Sequence, residues 1–239
     1  MPRRAVIFDF YGTLAEAHAR GPSWSQLFQD LGHEMSVEAS RRLWNDGADG
    51  IEHDEHSKSR DHYVAWQQAR VRQIIEESGV PEGDDDILFS QITERLGLPD
   101  LIAFDDAKPV LATLRARGLA LAICSNWDWD LLEAIDNAGL TGTVDVVVSS
   151  AWVGARKPHP RIYADTLERL GLDAADALFV GDTWTCDVEG PRRAGMQPVY
   201  IRRPHYGVDY TAPEASADDD DGVVRTDGLD VLLELISRA

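Results

Sequence analysis

Acidic, hydroxyl and amine side chains follow apolar runs of this sequence, and their types suit the transfer of a charged group. The clearest case is Asp9, which ends the apolar run 5–8 and is followed at once by Gly12 and Thr13. An apolar run that ends in a carboxylate is typical of a buried parallel strand, which delivers its acid to the carboxyl edge of the sheet. The corresponding residues further along the chain are Ser125 and Asn126, then Lys157, then Asp182 and Asp187.

These side chains match the chemistry of phosphoryl transfer. A carboxylate such as Asp9 can act as a nucleophile and carry the transferred group covalently. Carboxylates that converge at one sheet edge repel one another unless a cation joins them, and their hard oxygen atoms suit Mg²⁺. A lysine and a hydroxyl, here Lys157 and Ser125, stabilise the dispersed negative charge of a phosphoryl group. The residues therefore predict an anion-handling site that contains Mg²⁺.

The elements that must position these residues are predicted to alternate between strand and helix. Helical patterns at 131–139 and 158–171 lie between the later strands, and each pattern ends at a glycine. Alternation of this kind with short connections predicts an α/β fold with a doubly wound parallel sheet. The predicted strands are 4–9, 119–124, 144–149, 177–181 and 197–202.

Residues 15–103 break this alternation and are expected to form an inserted helical cap domain over the carboxyl edge of the sheet. The segment has no convincing strand pattern and shows helical spacing of apolar residues. Its acidic run 82–86 is expected to be a loop between cap helices. The remaining segments, 1–14 and 104–239, would form the α/β core, with an exposed acidic loop at 218–221 and a last helix at 229–236.

Composition narrows the classes of partner. A net charge of −19 disfavours nucleic acid and anionic membranes, so the expected partner is a small-molecule substrate. No apolar stretch approaches the ~20 residues of a membrane span. The two cysteines, Cys124 and Cys186, have no disulfide-framework spacing, which suits a reducing compartment. We expect a cytoplasmic protein, either a monomer or a homodimer.

Four motifs follow one another along the chain and begin at Asp9, Ser125, Lys157 and Gly181. This ordered set resembles the haloacid dehalogenase superfamily of hydrolases, in the branch with a helical cap between the first and second motifs. The resemblance extends from the first strand to about residue 202. It implies that Asp9 is the nucleophile that forms a covalent intermediate. It also implies that Ser125 binds a phosphoryl oxygen and that Lys157 neutralises the nucleophile and the transferring group.

The resemblance implies further contacts around this nucleophile. Substrate would meet the loop of Tyr11, Gly12 and Thr13, and backbone N–H groups near Tyr11, Gly12 and Asn126 would assist in binding the phosphoryl oxygens. Trp127, directly after Asn126, is a candidate substrate contact, because aromatic faces suit organic substrates.

The same resemblance implies a Mg²⁺ site. Asp182 would hold the ion together with Asp9 and the backbone carbonyl of Tyr11, and Asp187 would support the metal shell. From the sequence alone, Asp187 is equally compatible with capping the helix that runs through Arg192 and Arg193.

One position departs from the pattern of the superfamily's phosphatases. They carry a second aspartate two residues after the nucleophile, as general acid for the leaving alcohol, and this chain has Tyr11 there. General-acid catalysis contributes about 10²–10⁴ in rate, so protonation of the leaving group needs another source.

Three functions remain open at this point. The fourth motif, from Gly181 to Asp187, resembles the metal-binding phosphatase form and favours a Mg²⁺-dependent phosphatase acting on a small phosphorylated metabolite. The first motif, with Tyr11, is also similar to that of the metal-independent 2-haloacid dehalogenases, which need no leaving-group acid. The third alternative is a non-catalytic binding protein on a hydrolase scaffold.

Two further groups of side chains have competing interpretations. The cap histidines His53, His56 and His62 fit no standard metal-ligand spacing, and we expect them on a solvated helix or loop. Four tryptophans near predicted strand ends either ring the substrate cleft or pack the cap against the core; they are Trp127, Trp129, Trp152 and Trp184.

Overall fold

The protein is described by a computed structural model that covers residues 4–18, 22–45, 50–96, 100–204 and 222–237. Its strands are β1 (Ala5–Phe8), β2 (Ala15–Ala17), β3 (Leu101–Ala103), β4 (Ala120–Ser125), β5 (Val146–Ser149), β6 (Ala177–Gly181), β7 (Gln197–Ile201) and β8 (Val224–Thr226). Its α-helices are α1 (Trp24–Asp30), α2 (Val37–Asn45), α3 (Arg60–Glu77), α4 (Asp84–Leu96), α5 (Ala107–Ala116), α6 (Leu131–Asn137), α7 (Ser150–Val153), α8 (Pro160–Leu170), α9 (Gly190–Arg193) and α10 (Val231–Ser237). A π-helical segment, Trp184–Glu189, precedes α9.

The main sheet is parallel throughout, in the order β5-β4-β1-β6-β7-β8. All five predicted strands are present, and the predicted doubly wound α/β fold is confirmed. The sequence prediction missed β8, a three-residue strand at the edge of the sheet. The chain order places β4 and β6 on either side of β1, so the ends of these three strands are neighbours.

Helices cover both faces of this sheet because β1 is apolar on both sides. Val6 and Phe8 pack in one cluster with residues of α5, α6 and α10. Ala5 and Ile7 belong to a second cluster that includes Ile162 of α8. Successive side chains of a strand point to opposite faces, so a continuous apolar run is what a strand buried on both sides requires.

Helices α1 to α4 enclose a separate hydrophobic cluster, which includes Trp24, Phe28, Ile74 and Leu88. The expectation that segment 15–103 lacks strands is wrong, because β2 and β3 form an antiparallel pair where the chain leaves and re-enters the region of the main sheet. Each strand has only three residues and its partner lies far away in sequence, so no local periodicity marks the pair.

Two local predictions are corrected by the structure, and a third concerns residues outside the described ranges. The aspartates of the acidic run form the first turn of α4 instead of a loop, since negative charge is favourable at a helix N-terminus. Helix α8 begins at Pro160, with the side chain of His159 as its N-cap, and not at Pro158. The acidic stretch 218–221 lies outside the described residues.

Candidate functional site

The nucleophile candidate lies where the sheet order predicts. Asp9 follows β1, and its backbone N–H donates to the carbonyl of Val180 in β6 at 2.8 Å. Ser125 ends β4 on the other side, and its hydroxyl donates to Oδ1 of Asp9 at 2.9 Å. Parallel pairing of β1 with both neighbours therefore brings the ends of three strands around one carboxylate.

Lys157 reaches the same point from a different part of the chain. Its Nζ lies 2.7 Å from Oδ1 of Asp9 and 2.7 Å from Oδ1 of Asp187, and the side chain is only 2% exposed. Helix α7 lies between the end of β5 and this lysine, so Lys157 is not attached directly to a strand end. Burial by itself would lower the pKa of Lys157, but the carboxylates of Asp187 and Asp9 outweigh it and raise that pKa well above its usual range.

Three carboxyl groups converge beside this ammonium. Oxygen atoms of Asp9, Asp182 and Asp187 all lie within 4.8 Å of one another. Burial raises the pKa of Asp187 to about 7, with a further contribution from Asp9, although Lys157 acts in the opposite direction. Burial and the neighbouring Asp9 and Asp187 also raise the pKa of Asp182 well above its usual range. Three acids beside one ammonium leave an excess of negative charge, which favours a bound cation.

Asp187 is held in the cluster by the π-helical segment. Its backbone N–H donates to the carbonyl of Thr183 at 2.7 Å, and its Oδ2 accepts from the N–H of Thr183 at 2.9 Å. Helix α9 has Glu189 as its N-cap residue, so Asp187 does not cap that helix. Tyr163 supports the segment from α8, because its hydroxyl donates to the carbonyl of Cys186. Isolated π-helical turns are frequent at functional sites.

Gly181 makes room for this carboxyl group. A Cβ built on Gly181 would lie 2.3 Å from Cγ of Asp187, far inside van der Waals contact. We expect Gly181→Ala to displace Asp187 and to lower the rate of catalysis by about 10²-fold, the effect of roughly 1 Å of misplacement. The measurement is turnover of the substrate, with the melting temperature of the same preparation to show that the variant remains folded. A Gly181→Ala protein with unchanged turnover would show that Asp187 need not lie where it does.

The loop after β1 is already engaged within the protein. The N–H of Gly12, at a φ of +83°, donates to the carbonyl of Ala15 at 2.8 Å. Thr13 is fully buried, and its hydroxyl has no hydrogen-bond partner among the described residues. The ring of Tyr11, which is partly exposed, lies 6.1 Å from the ring of Trp127. The structure thus brings the rings of Tyr11 and Trp127 together and buries Thr13.

Arg203 is a supporting residue that sequence reasoning missed. Its guanidinium donates to the carbonyl of Thr13 at 2.7 Å and to Oδ2 of Asp106 at 2.6 Å, and the residue is buried. It therefore fixes the loop that follows Asp9. Nothing in the sequence distinguishes Arg203 from Arg202, so no signal could have identified it.

Helix α3 and residue 52, which belong to segment 15–103, contact the core close to the acidic cluster. Tyr63 and Gln67 of α3 both donate to Oδ1 of Asp128, each at 2.8 Å. Residue 52 forms an antiparallel bridge with residue 155, two positions before Lys157. These contacts attach the helical segment to the loops that carry Ser125 and Lys157.

The two interpretations of the four tryptophans, a ring around the cleft or packing of the cap against the core, can now be compared with the structure. Trp129 and Trp152 border an open surface groove of about 440 Å³, together with Leu132, Arg60 and Glu133. Trp184 packs edge-on against Tyr200, with ring centres 5.2 Å apart, in a separate hydrophobic cluster. The four tryptophans therefore do not form one ring.

The expectation that the cap histidines are all solvated is wrong for His53. This residue is 4% exposed, its ring stacks on Trp66 with centres 5.4 Å apart, and its Nδ1 lies 2.9 Å from the hydroxyl of Ser57. Burial and the nearby Arg156 lower the pKa of His53 to about 4. It is a neutral packing residue near physiological pH.

The raised pKa of Asp187 predicts how stability depends on pH in the metal-free protein. The folded-state pKa is about 7 against an ordinary value of 3.8, so between these values the folded state holds a proton that the unfolded state has released. The free energy of unfolding should therefore fall as pH rises through this window. Melting temperatures measured in EDTA from about pH 5 to about pH 8 test this. Asp187→Asn cannot titrate, and it also removes a charge that raises the pKa of Asp182, so it should show a less negative slope. Equal slopes in the two proteins would contradict the prediction. His53 acts in the opposite direction. Its pKa is lowered from 6.5 to about 4, so the free energy of unfolding falls as pH decreases through this window. Both proteins contain His53, so its contribution does not affect the comparison.

Among the described residues, none of the helices combines the length and apolar character that a bilayer crossing requires.

Comparison with known proteins identifies relatives among phosphatases and dehalogenases. The chain is 36% identical over 149 residues to phosphoserine phosphatase of Thermus thermophilus, which covers 62% of this chain and 57% of that protein. It is 27% identical over 208 residues to haloacetate dehalogenase H-2 of Moraxella, which covers 86% of this chain and 88% of that protein. The chain thus spans less than two thirds of the Thermus relative's length.

A solved structure shares the fold over almost the whole chain. The crystal structure of a predicted phosphoglycolate phosphatase from Haemophilus somnus matches with a TM-score of 0.64 and 20% identity, covering 98% of this chain and 97% of that one. The model of the haloacid dehalogenase-like hydrolase family matches residues 3–195, which include every residue of the acidic cluster. A match over most of the chain shows that the chain belongs to the haloacid dehalogenase-like hydrolases.

Proposed function

We propose that this hydrolase is a Mg²⁺-dependent phosphatase that acts on a small phosphorylated metabolite through a covalent phosphoryl intermediate on Asp9. The observation that carries the proposal is the convergence of three carboxyl groups, Asp9, Asp182 and Asp187, beside the single ammonium of Lys157. In a mechanism without a metal, this excess of buried negative charge would lie unbalanced next to the nucleophile.

The donor set fits Mg²⁺. The candidate ligands are carboxylate oxygens, which are the atoms that this ion prefers, and oxygen atoms of the three acids lie close enough together to share one ion. Asp9 and Asp182 would hold it, with the backbone carbonyl of Tyr11, and Asp187 would support them. When bound, Mg²⁺ would neutralise the acids and polarise the phosphoryl group.

The residues of the chain would then divide the reaction between them. Asp9 attacks phosphorus in line, and its new bond to phosphorus replaces the bond to the leaving oxygen, which departs as an anion or with a proton from the substrate or the cap. Water then hydrolyses the acyl phosphate, which releases phosphate and restores the carboxylate. Lys157, held charged by its two acids, balances the negative charge of the transferring group. The hydroxyl of Ser125, which donates to Asp9 at 2.9 Å, would turn to donate to a phosphoryl oxygen.

Further substrate contacts belong to the same proposal. The rings of Tyr11 and Trp127, whose centres lie 6.1 Å apart, are the proposed contacts for the organic part of the substrate. The loop of Gly12 and Thr13 would shape the floor of the site, since its groups are buried or already bonded within the chain.

Tyr11 limits which substrates suit this site. Because the usual aspartic acid is absent at this position, we propose a substrate whose leaving group is a good anion or is protonated by the substrate itself or by the cap. The names of the relatives, which include a phosphatase of phosphoserine, support a small-molecule phosphate ester as the class.

We also propose that residues 15–103 act as the cap and that segments 1–14 and 104–239 form the catalytic core. Support comes from the separate hydrophobic cluster of α1 to α4 and from the contacts of Tyr63 and Gln67 with Asp128. Closure of such a cap would exclude bulk water and select the substrate.

The second candidate function is metal-independent dehalogenation of a 2-haloacid by Asp9. Tyr11 favours it, since halide needs no proton on leaving, and the Moraxella relative is a haloacetate dehalogenase. The acidic cluster argues against it, because Asp182 and Asp187 would face Asp9 with Lys157 as their shared counter-charge.

One experiment separates the two candidates. Phosphorylated metabolites and 2-haloacids, including 2-chloropropionate, are incubated with the protein in Mg²⁺ or in EDTA, and phosphate and halide release are measured together. The proposal expects Mg²⁺-dependent phosphate release. Chloride release that persists in EDTA, with no phosphate release, would reject it in favour of the dehalogenase.

A further inference from the structure

Asn126 uses its side chain on the backbone of Lys157. Its Oδ1 accepts from the N–H of Lys157 at 2.7 Å, and its Nδ2 donates to the carbonyl of Lys157 at 3.0 Å. The family resemblance implied that a backbone N–H near Asn126 assists in binding the substrate, and it gave the side chain no role. The geometry instead matches the amide to both polar groups of one residue, as a neighbouring strand would.

Lys157 lies between two helices, at the end of a short backbone pairing with residues 50–53. Helix α7 ends at Val153 and α8 begins at Pro160, and between them the N–H of Arg156 donates to the carbonyl of Ile51 at 3.1 Å. The N–H of Lys157 itself donates to the side chain of Asn126. The carbonyl of Lys157 also accepts from the N–H of Gly50 at 3.2 Å and lies 3.4 Å from Sγ of Cys186. Asn126 differs from these two groups, because it binds the N–H as well as the carbonyl of Lys157 and so fixes both peptide groups that flank its Cα atom.

The position of this backbone determines where the ammonium lies. Nζ must stand 2.7 Å from both Asp9 and Asp187, and the side chain is enclosed on all sides. A rotation of either peptide group that flanks Lys157 would move its Cβ atom and misplace Nζ. Buried hydrogen bonds that fix a reacting group in this way act on rate, because small misplacements are costly.

We infer that Asn126 is a positioning residue whose side-chain amide clamps the backbone of Lys157 so that the ammonium bridges Asp9 and Asp187. The role in catalysis rests on the proposed function, while the clamp itself does not. Asn126 acts through Lys157, so removing its amide should lower kcat by about 10–100-fold and leave KM within about twofold.

A double-mutant cycle tests the role in catalysis. Turnover of p-nitrophenyl phosphate in Mg²⁺ is measured for the wild type, Asn126→Ala, Lys157→Ala and the double variant. If Asn126 acts through Lys157, the loss caused by Asn126→Ala should nearly vanish in the Lys157→Ala background. A loss of the same size in both backgrounds, or a loss confined to KM, would overturn the inference and indicate direct contact with substrate. Should Asn126→Ala fail to fold, Asn126→Asp takes its place, since it keeps the shape and loses the donor to the carbonyl.

Asn137→Ala is the matched control. Its side chain likewise accepts from a backbone N–H, that of Leu101 at 2.7 Å, but it joins α6 to β3 away from the acidic cluster. This variant should keep the wild-type kcat and KM. A loss of kcat in Asn137→Ala equal to that in Asn126→Ala would show a general effect of lost structure and would overturn the inference.

Amide hydrogen exchange tests the clamp without any activity. The N–H of Lys157 should exchange at least about tenfold faster in Asn126→Ala than in the wild type, and should be unchanged in Asn137→Ala. Unchanged protection in Asn126→Ala would overturn the inference. If the wild-type protein releases no phosphate, the proposed function fails, and the exchange result still decides whether Asn126 holds Lys157.

Discussion

Replacement of Asp9 by asparagine is expected to lower turnover by about 10⁴-fold or more, because the amide cannot act as the nucleophile. The folded structure should survive. Asparagine has the shape of aspartate, and its Oδ1 can still accept from Ser125 and Lys157. The variant also removes one of three converging negative charges, so the melting temperature in EDTA should not fall. The measurements are phosphate release and thermal unfolding of the same preparations.

The control for this variant is Asp227→Asn, the same substitution at an exposed position outside the cluster. It should leave both turnover and melting temperature unchanged. A folded Asp9→Asn protein that retains about a tenth or more of the wild-type turnover would contradict the proposed role of Asp9.

Removal of the divalent cation is expected to have the second largest effect. Phosphate release in EDTA should fall by about 10²–10⁴-fold, since metal ions supply several kcal/mol of charge stabilisation to such reactions. Excess Mg²⁺ should restore it in the wild type. Asp182→Asn should show a loss of similar size in Mg²⁺ that no further Mg²⁺ restores, because it removes a proposed ligand and leaves Lys157 with both of its acids.

Asp105→Asn provides a comparison for that variant, because Asp105 is exposed and follows β3 away from the cluster. It should respond to EDTA and to Mg²⁺ as the wild type does. Phosphate release that is unaffected by EDTA, or an Asp182→Asn protein with wild-type activity, would remove the metal from the mechanism.

Much of the fold follows from local patterns in the sequence. The strands β1, β4, β6 and β7 are apolar runs that are almost wholly buried, and the edge strand β5 begins with three valines, so hydrophobicity marks each of them. The pair β2 and β3 and the edge strand β8 were missed for the opposite reason. Their pairing depends on partners distant in sequence, and three residues are too few to show a period.

The candidate site was predictable where chemistry and strand ends coincide. Asp9, Ser125 and Asp182 follow directly from the sheet order, because β1 lies between β4 and β6. The position of Asp187 in the cluster could not be derived from spacing, since it depends on a π-helical turn and on the missing side chain of Gly181. The sequence left capping of a helix equally open for this residue.

Support from distant residues was not predictable. The clamp of Asn126 on Lys157 and the contact of Arg203 with the carbonyl of Thr13 are tertiary hydrogen bonds between side chains and backbone. Such bonds satisfy buried peptide groups wherever the fold brings a partner, and no sequence pattern encodes them. The burial of His53 belongs to the same class, because it depends on the packing of Trp66 and Tyr63 around it.

A crystal of the protein soaked in Mn²⁺, whose anomalous scattering identifies metal positions, tests the central claim most directly. The account predicts one peak at the end of β1, about 2 Å from carboxylate oxygens of Asp9 and Asp182. The same peak should be lost from crystals of Asp182→Asn. A density map without a peak there, with Asp9 and Asp187 still bonded to Lys157 and Asp182 turned away, would contradict the account.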